Sequence, residues 1–518
     1  MIEMIGRRAS MLVLVAGIAA TLVLQIVVPS VEVFWSGDGG LKNLQAKQFA
    51  HGVMDVDLHL TDKEWIRKLW DDGLHPGEYG NYIYKIDGKY FSVFPYPYPL
   101  VSAPFYALFG VRGYYVIPVV AMWIVWFTIY LAMRRACIEP WMTALLMASL
   151  VFAMPITLYA ATFWEHTLGL ALALAGIVYT LRYDDFEPGK CGPLLAGGAL
   201  GFAVWFRPET LALIAILLPA AFIWRRRALT FRGWILFSVA ALGVAALFFT
   251  VNIWIYGHPL GTHGMQMRSA EIAATTTHAI VDRFVSMVKM TIRFAPIGGF
   301  VAALAVILLL TKQIKWGSEY VYLSVVAVVF FPLMVYMVPS DGGFQPGPRF
   351  VFIGFLLMIL IAAYAWRAVP KNAAARGVLT LLLLATILVG VKRSTLDETR
   401  WVIKQYNERV LPAYSFLAGR DEQVVALAKV EILLELGGLV EQKDFFAAFD
   451  DEKFSKLIAG LREQKIEKFI FIAFGDLDEE HDSVLRHEVA KGLQIEPLGD
   501  RHYGTHFYFY SVTIPPGA

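Results

Sequence analysis

The sequence predicts a polytopic α-helical membrane protein with a structured first external loop and a small C-terminal external α/β domain. The 518-residue chain is 57% hydrophobic and has a mean hydropathy of +0.56, which is far too apolar for a soluble protein of this length. The apolar residues form long runs up to about residue 391, where charged residues become frequent. A membrane part followed by a water-exposed part explains this change.

Charge and cysteine content argue against a nucleic acid partner and against a structural disulfide. The chain carries 45 basic and 43 acidic residues, so its net charge of +2 gives no reason to expect a nucleic acid partner. Its two cysteines, Cys137 and Cys191, fall in short connections that we place on the cytoplasmic side below. A structural disulfide is therefore not expected.

The first membrane span is the apolar run from 11 to 31, which follows Arg7 and Arg8 and is longer than a signal-peptide core. The two arginines predict a cytoplasmic N-terminus, so residues 32–113 form a large external loop. The sequence predicts about eleven membrane helices in total. Two of the later spans, near 193–224, are short, so the total could differ by one pair of helices. The ten further spans are predicted at 115–133, 141–161, 166–182, 193–206, 209–224, 233–255, 295–311, 318–338, 350–368 and 376–391.

Basic residues support this topology, because they are frequent in every connection that it places in the cytoplasm. An odd number of crossings puts residues 392–518 on the same external side as the first loop. We therefore divide the chain into a transmembrane domain, 1–391, which includes loop 32–113, and an external α/β domain, 392–518. The basic residues of the cytoplasmic connections are Arg134, Arg135, Arg182, Lys190, Arg225, Arg226, Arg227, Arg232, Lys312, Lys315, Lys371 and Arg376.

Local patterns predict structure in both external segments. Two β-rich runs around Asp87-Gly88 predict a tight hairpin over 82–93, and the alternating prolines of 94–99 predict an extended path. The C-terminal domain either has a binding role of its own or braces the first loop. Its pattern predicts helices near 399–417, 421–437, 451–464 and 478–490, and strands at 468–473 and 507–512.

Asp38 is the leading functional candidate, because it lies just beyond the first span, among three glycines and after the aromatic pair Phe34-Trp35. The glycines allow a backbone or a ligand to come close. A helix is predicted to start here with Asp38 near its N-cap. Helix capping alone is the alternative explanation for this residue.

Other polar residues at the external ends of the apolar spans need an explanation, because charges there are costly unless paired or functional. The predicted topology puts all of them on the side of Asp38. Arg207 and Glu209 have the alternative of pairing with each other, and Arg349 the alternative of reaching lipid headgroups. For His258 and His263 the alternative is that they have no binding role, because most histidines in loops are not ligands. The residues are Glu165, His166, Arg207, Glu209, His258, His263 and Arg349.

Over residues 1–391 the chain resembles the GT-C superfamily of membrane glycosyltransferases, which includes dolichyl-phosphate-mannose protein mannosyltransferases and the bacterial aminoarabinose transferase to lipid A. The resemblance rests on the order of four motifs rather than on any one. The chain differs from the mannosyltransferases in one motif, because it has Asp38-Gly39 where they have an Asp-Glu pair. This difference argues against protein O-mannosylation. The motifs are 36–42 around Asp38, the acidic turn at Glu165, Tyr256-Gly257-His258-Pro259-Leu260, and Gly347-Pro348-Arg349-Phe350.

The resemblance implies a sugar donor linked to polyprenyl or dolichyl phosphate, used on the outer face of the cytoplasmic membrane. The acceptor is then a glycan, lipid or protein of the cell envelope, and membrane lipids are further partners. A lipid phosphate is a good leaving group, so the reaction needs a base and positive charge rather than a general acid. We expect inversion at the anomeric carbon, with Asp38 as the base.

The remaining candidates are assigned to substrate binding. Arg349 is the leading holder of the departing phosphate and Arg207 the second, because a planar guanidinium suits phosphate. Lys42, Glu165, His166 and His258 complete the predicted pocket. A divalent metal ion held by Glu165 and His166 is left open, because a carboxylate and an imidazole alone do not decide it.

Two other functions compete with transfer. A carrier or flippase for a lipid-linked glycan predicts charged or broken helices near the bilayer midplane and related halves of the chain. The candidate polar groups instead cluster at one predicted membrane face. A non-catalytic assembly subunit predicts that Asp38 is dispensable.

Overall fold

The computed structural model describes residues 2–28, 31–77, 82–181, 191–225, 229–266, 277–338, 345–474, 485, 490–498 and 507–515. The chain divides into two compact units. The first unit comprises Met1–Ile26 and Tyr115–Arg400, and the second comprises Val27–Tyr114 and Trp401–Ala518. The second unit thus joins the first loop to the C-terminal segment, whereas the sequence analysis assigned that loop to the transmembrane domain.

Helices dominate the first unit, and the second unit mixes helices with two sheets. The helices are α1 (Ile2–Val27), α2 (Gly37–Ala50), α3 (Glu64–Leu69), α4 (Pro97–Phe109), α5 (Val116–Arg135), α6 (Pro140–Phe152), α7 (His166–Thr180), α8 (Gly192–Phe206), α9 (Thr210–Trp224), α10 (Phe231–Tyr256), α11 (Thr277–Phe294), α12 (Ile297–Leu310), α13 (Glu319–Met337), α14 (Phe352–Ala368), α15 (Ala373–Gly390), α16 (Glu398–Lys404), α17 (Leu411–Ala418), α18 (Val430–Leu436) and α19 (Asp451–Glu463). The strands are β1 (Ile83–Ile86), β2 (Lys89–Ser92), β3 (Val424–Leu427), β4 (Asp444–Ala447), β5 (Lys468–Phe474), β6 (Gln494–Pro497) and β7 (Phe507–Thr513).

Each predicted membrane span contains a helix, most with ends within a few residues of the prediction. The described residues contain six helices long and apolar enough to cross a membrane, or up to eight if each of two bent pairs is one span. α7, α8 and α9 are shorter apolar helices of 15 residues each. The chain is therefore a multi-pass membrane protein, and the total of about eleven spans stays a prediction.

Prolines explain the two bent pairs. The predicted span 141–161 is α6 followed by the 3-10 helix Pro155–Ala161, with a bend of 53° between them. Pro155 forces Met154 into an extended conformation, which ends α6. The second bend, of 94°, separates the described part of α11 from α12 next to Pro296. Residues 277–294, between the predicted spans 233–255 and 295–311, were not predicted as a helix. They form α11, which is amphipathic and therefore lacks the continuous apolar run by which a membrane span is recognised.

The C-terminal segment forms a five-stranded sheet in the order β4-β3-β5-β7-β6. β4, β3 and β5 are parallel, and β7 pairs antiparallel with both β5 and β6. One face of the sheet packs on α19 and on Ile66, Trp70 and Leu74 of the first loop. The indole of Trp70 donates to the carbonyl oxygen of Phe445 at 3.0 Å. The C-terminal segment therefore shares a hydrophobic core with the first loop, which favours bracing as its role.

Several secondary-structure predictions for this unit are confirmed. α19, β5 and β7 lie where the pattern placed them, and helix 399–417 occurs as α16 and α17 with a π-helical segment between them. The hairpin β1–β2 turns at Asp87 and Gly88, whose φ angles of 50° and 77° are those of a type I′ turn.

Other predictions for this unit are wrong. Residues 424–427 of the predicted helix 421–437 form β3, because a short apolar run buried on both faces has no distinguishing period. β4 and β6 were not predicted. The prolines of 94–99 do not all lie on an extended path, because Pro97 begins α4, where the first helical turn accepts proline. Predicted helix 478–490 lies almost entirely outside the described residues.

Candidate active site

Asp38 is the second residue of α2. Ser36 occupies the N-cap position, with φ −127° and ψ 131°, so Asp38 does not cap the helix itself. The side chain is half-buried and lies in the first helical turn, where the helix dipole favours a carboxylate. The prediction that a helix starts here is confirmed. Stabilisation of the helix start stays an alternative role for Asp38.

The three glycines around Asp38 are explained by close packing. A Cβ at Gly40 would overlap the backbone carbonyl oxygen of Leu434, and one at Gly37 would meet the Leu434 side chain. A Cβ at Gly39 would lie 2.7 Å from Cδ1 of Phe34. Of the two uses predicted for these glycines, the structure shows the close approach of a backbone. The start of α2 is consequently held in place by both Phe34 and Leu434.

Lys42 lies one helical turn after Asp38, and helical spacing puts both residues on one face of α2. Its side chain is buried, with only 1% exposed. The ammonium nitrogen lies 4.5 Å from the ring centre of Phe94 and 6.0 Å from that of Tyr98. Aromatic faces stabilise a cation that has left water. The structure thus brings two of the predicted site residues together.

A buried polar network on α2 was not predicted. Lys47 Nζ lies 2.8 Å from Glu32 Oε2 and 2.7 Å from a carboxylate oxygen of Glu441. Burial alone would lower the pKa of Lys47, but hydrogen bonds to Glu32 and Glu441 raise it above its usual value. Tyr106 Oη also donates to Glu32 Oε1 at 2.7 Å. The sequence contained one sign of this network, the lysine Lys47 one turn beyond Asn43. In the structure this helix has no exposed face, so a charge on it requires a partner.

In the first unit, Glu165 precedes α7 and Arg207 follows α8. Arg207 Nη1 donates to Glu165 Oε1 at 3.1 Å, although the residues are 42 positions apart. Arg207 also forms an ion pair with Glu209, and these three side chains are 6–12% exposed. Gly169 on α7 leaves room for the aliphatic stem of Arg207, which a Cβ would meet at 2.7 Å. The predicted pairing of Arg207 with Glu209 is confirmed, and Glu165 joins it.

Arg349 lies against aromatic rings in the same unit. Its guanidinium carbon is 5.6 Å from the ring centre of Trp164 and 5.2 Å from that of Phe350. The guanidinium carbon of Arg207 lies 5.5 Å from the same Phe350 ring. The structure therefore gathers Glu165, Arg207 and Arg349 around the rings of Trp164 and Phe350. We call this set the arginine cluster.

The loop before Arg349 is held in place by two features. Tyr159 Oη donates to the carbonyl oxygen of Pro346 at 3.1 Å. Gly347 has a φ of 84°, a backbone conformation that side chains with a Cβ rarely adopt, and it packs against Pro155. The position of Arg349 is thus set by the 3-10 helix that follows α6.

His166 is 2% exposed and packs among aromatic rings. Its ring centre lies 5.1 Å from that of Tyr159, 5.2 Å from that of Trp164 and 6.3 Å from that of Phe352. The geometry does not fit a metal ion held by Glu165 and His166, because the Glu165 carboxylate faces the cation of Arg207. We derive no step through a metal at this position.

A search of the described residues finds a different group with the composition and spacing of metal ligands. Asp55, Asp57 and His59 of the second unit have ligand atoms within 4.8 Å of one another. His59 Nε2 lies 3.4 Å from Asp57 Oδ2, and Lys89 lies 3.6 Å from the other oxygen of Asp57.

His258 lies in the turn that follows α10, after Gly257, whose φ is 69°. Its Nδ1 accepts a hydrogen bond from the backbone N–H of Leu260 at 3.2 Å. This contact is one that a loop histidine makes within its own turn. The role of His258 in substrate binding stays a prediction.

No protein-family model matches the chain, and no curated protein matches it. Among solved structures, the chain is similar to ArnT from Cupriavidus metallidurans bound to undecaprenyl phosphate. The TM-score is 0.59 at 12% identity, over 96% of this chain and 97% of that chain. It is also similar to the archaeal oligosaccharyltransferase AglB from Archaeoglobus fulgidus, in complex with an inhibitory peptide and a dolichol-phosphate. Here the TM-score is 0.52 at 11% identity, over 89% of this chain and 69% of that chain.

At these identities the likeness shows the fold. Both neighbours are GT-C proteins, and the first of them aligns over nearly its whole length. The resemblance expected from the sequence motifs is confirmed at this level. The chain has the fold of the GT-C membrane glycosyltransferases.

Proposed function

We propose that the protein is a membrane glycosyltransferase that moves a sugar from a polyprenyl-phosphate-linked donor to a glycan, lipid or protein of the cell envelope. The observation that carries this proposal is the fold shared with ArnT over nearly the full length of both chains, in a structure that contains undecaprenyl phosphate. A dolichol-phosphate in the AglB structure points to the same class of donor. The reaction takes place on the outer face of the cytoplasmic membrane, with the N-terminus of the chain inside.

The proposed reaction is a single displacement with inversion. The Asp38 carboxylate takes the proton of the acceptor hydroxyl while that oxygen forms a bond to the anomeric carbon. The bond from the anomeric carbon to the phosphate oxygen breaks, and polyprenyl phosphate leaves with the electron pair. A phosphate leaving group needs positive charge rather than a proton, so a base and a cation suffice.

Arg349 is the better holder of the phosphate. Arg207 already faces two carboxylates, Glu165 and Glu209, so a phosphate bound there would bring further negative charge to a compensated site. Arg349 lies against the rings of Trp164 and Phe350, and aromatic faces stabilise a guanidinium group. We therefore assign phosphate binding to Arg349 and a supporting role to Arg207. Lys42 remains assigned to substrate binding beside Asp38.

The first test is a mass-spectrometric profile of the envelope glycolipids and glycans of cells that lack the protein. The cells then receive the wild type, Asp38→Asn, or the matched control Asp62→Asn, which changes an exposed carboxylate of the same loop. We expect a missing sugar to return with the wild type and with Asp62→Asn but not with Asp38→Asn. The mass of that sugar shows whether it is a hexose, a pentose or an amino sugar.

Other outcomes decide against the proposal. Restoration by Asp38→Asn would show a carrier or an assembly subunit, since neither needs a base at this position. A profile that is unchanged on loss of the protein would contradict a role in envelope glycosylation.

A further inference from the structure

A cavity of about 390 Å³ lies in the first unit, where α1, α5 and α6 come together. Its lining includes Arg7 of α1, Arg134 of α5 and Thr143 of α6. α6 leads from this cavity toward the turn that holds Glu165, so the cavity and the arginine cluster lie at different ends of that helix. The cavity belongs to the end of the unit that its basic residues predict to be cytoplasmic.

The walls of the cavity are fastened to each other. Gly6 allows α1 to approach the start of α6 closely, since a Cβ there would lie 2.7 Å from the backbone nitrogen of Trp141. One turn further along α1, Ser10 Oγ donates to the carbonyl oxygen of Pro140 at 3.2 Å. Arg7 is thereby held at the rim of the cavity beside the first turn of α6.

The lining of the cavity contains two arginines and one glutamate. Arg7 and Arg134 are both part of its lining, and the Arg134 guanidinium carbon lies 5.8 Å from the ring centre of Tyr130. The acidic residue of the lining, Glu139, is engaged elsewhere. One of its oxygens accepts from Arg376 Nη1 at 2.8 Å, and the other accepts from Trp366 Nε1 at 2.9 Å. The lining therefore combines two arginines with a carboxylate that is already paired.

Thr143 supplies an independent sign of a ligand. The residue is 2% exposed and lines the cavity, and none of the described residues gives its buried hydroxyl a hydrogen-bond partner. A buried hydroxyl without a partner costs free energy unless a bound group supplies one. Thr143 lies near the start of α6, a helix of 13 residues, and the dipole at a helix N-terminus favours a bound anion.

We propose that this cavity binds a phosphate group, between Arg7 and Arg134 and with the Thr143 hydroxyl as a hydrogen-bond donor. Several acceptor oxygens and a negative charge match two guanidinium groups, a hydroxyl and a helix N-terminus. Two sources offer this chemistry: the headgroup of an anionic phospholipid and free phosphate. The inference is independent of the proposed transfer reaction, because it concerns another end of the unit.

The chemical reactivity of Cys137 reports whether the cavity is occupied. Its exposed side chain lines the same cavity, and the other cysteine, Cys191, is removed as Cys191→Ser. The full-length protein is reconstituted in nanodiscs of phosphatidylcholine, and the rate of Cys137 modification by a neutral maleimide is measured. One arm adds inorganic phosphate at constant ionic strength, and another replaces part of the lipid with phosphatidylglycerol. We expect at least one arm to slow modification by about threefold or more, since a bound group shields the thiol and disfavours its thiolate.

Two variants separate the site from general surface charge. Arg134→Gln should abolish the protection, whereas Arg135→Gln, the neighbouring arginine outside the lining, should preserve it. Each variant is judged by its own rate ratio with and without ligand, which cancels any change in intrinsic thiol reactivity. Thr143→Val should weaken the protection without a change of side-chain size.

The arms also identify the source of the phosphate. Protection by phosphatidylglycerol alone shows a lipid headgroup, and protection by inorganic phosphate shows that a free phosphate suffices. No protection in either arm overturns the proposal. Equal protection in Arg134→Gln and Arg135→Gln also overturns it, because this result would report surface charge alone.

Discussion

Replacement of Arg207 by methionine should strongly destabilise the protein. Arg207 lies between Glu165 and Glu209, and the three side chains are only 6–12% exposed. Removal of the guanidinium takes away the cation that two buried carboxylates share. Breaking a buried ion pair in this way costs about 3 to 5 kcal/mol of unfolding free energy.

A double-mutant cycle tests this reasoning. Glu165→Gln in the Arg207→Met background removes one of the two stranded charges, so it should recover at least about 1 kcal/mol. Recovery remains partial because Glu209 keeps its charge, and Glu209→Gln as a third change should complete it. The unfolding free energies are measured by denaturation with SDS in mixed micelles. A loss below about 1 kcal/mol for Arg207→Met, or no recovery in the double variant, would refute the structural role of Arg207.

Three further predictions concern the second unit. Asp38→Asn should lower sugar transfer by about 100-fold or more with an unchanged unfolding midpoint, and normal transfer would remove Asp38 as the base. Gly40→Ala should lower the unfolding free energy by about 1 to 3 kcal/mol, because its Cβ meets the rigid backbone carbonyl of Leu434. An unchanged denaturation curve would contradict that packing. Burial lowers the pKa of His75 from 6.5 to about 3, so the unfolded chain binds a proton that the folded chain excludes between these values. Stability should therefore fall as pH drops from 6.5 toward 3, by up to about 1.4 kcal/mol per pH unit, and unfolding curves of His75→Phe should show a smaller decrease. Identical pH profiles for wild type and variant would contradict this account of His75.

The membrane helices were predictable because a bilayer imposes a length of apolar chain that is visible residue by residue. α8, for example, was placed within one residue of its observed ends. The C-terminal strands were less predictable. β3 and β4 have four residues each and are largely buried on both faces, so neither length nor alternation distinguishes them from short helices. Long-range pairing decides their conformation.

The candidate site shows the same division between local and distant information. Glu165, Arg207 and Arg349 stood out in the sequence because each is a charge at the end of an apolar span. Their partners did not follow from that fact. The contact between Arg207 and Glu165 depends on Gly169, which lets Arg207 pack against α7. The network at Glu32 was missed because one of its members, Glu441, lies some 400 positions along the chain.

The sequence by itself determined the class of protein, the positions of most apolar helices, the tight turn at Asp87-Gly88 and the list of charges that require an explanation. These properties depend on hydrophobic length and local backbone preference, both of which act over neighbouring residues. Only the tertiary structure decided which charges neutralise each other and that the glycines near Asp38 serve packing. Only the tertiary structure showed that the first loop shares a core with the C-terminal sheet. Those properties depend on contacts between distant segments, because burial makes the energy of a charge or a cavity depend on whatever lies next to it.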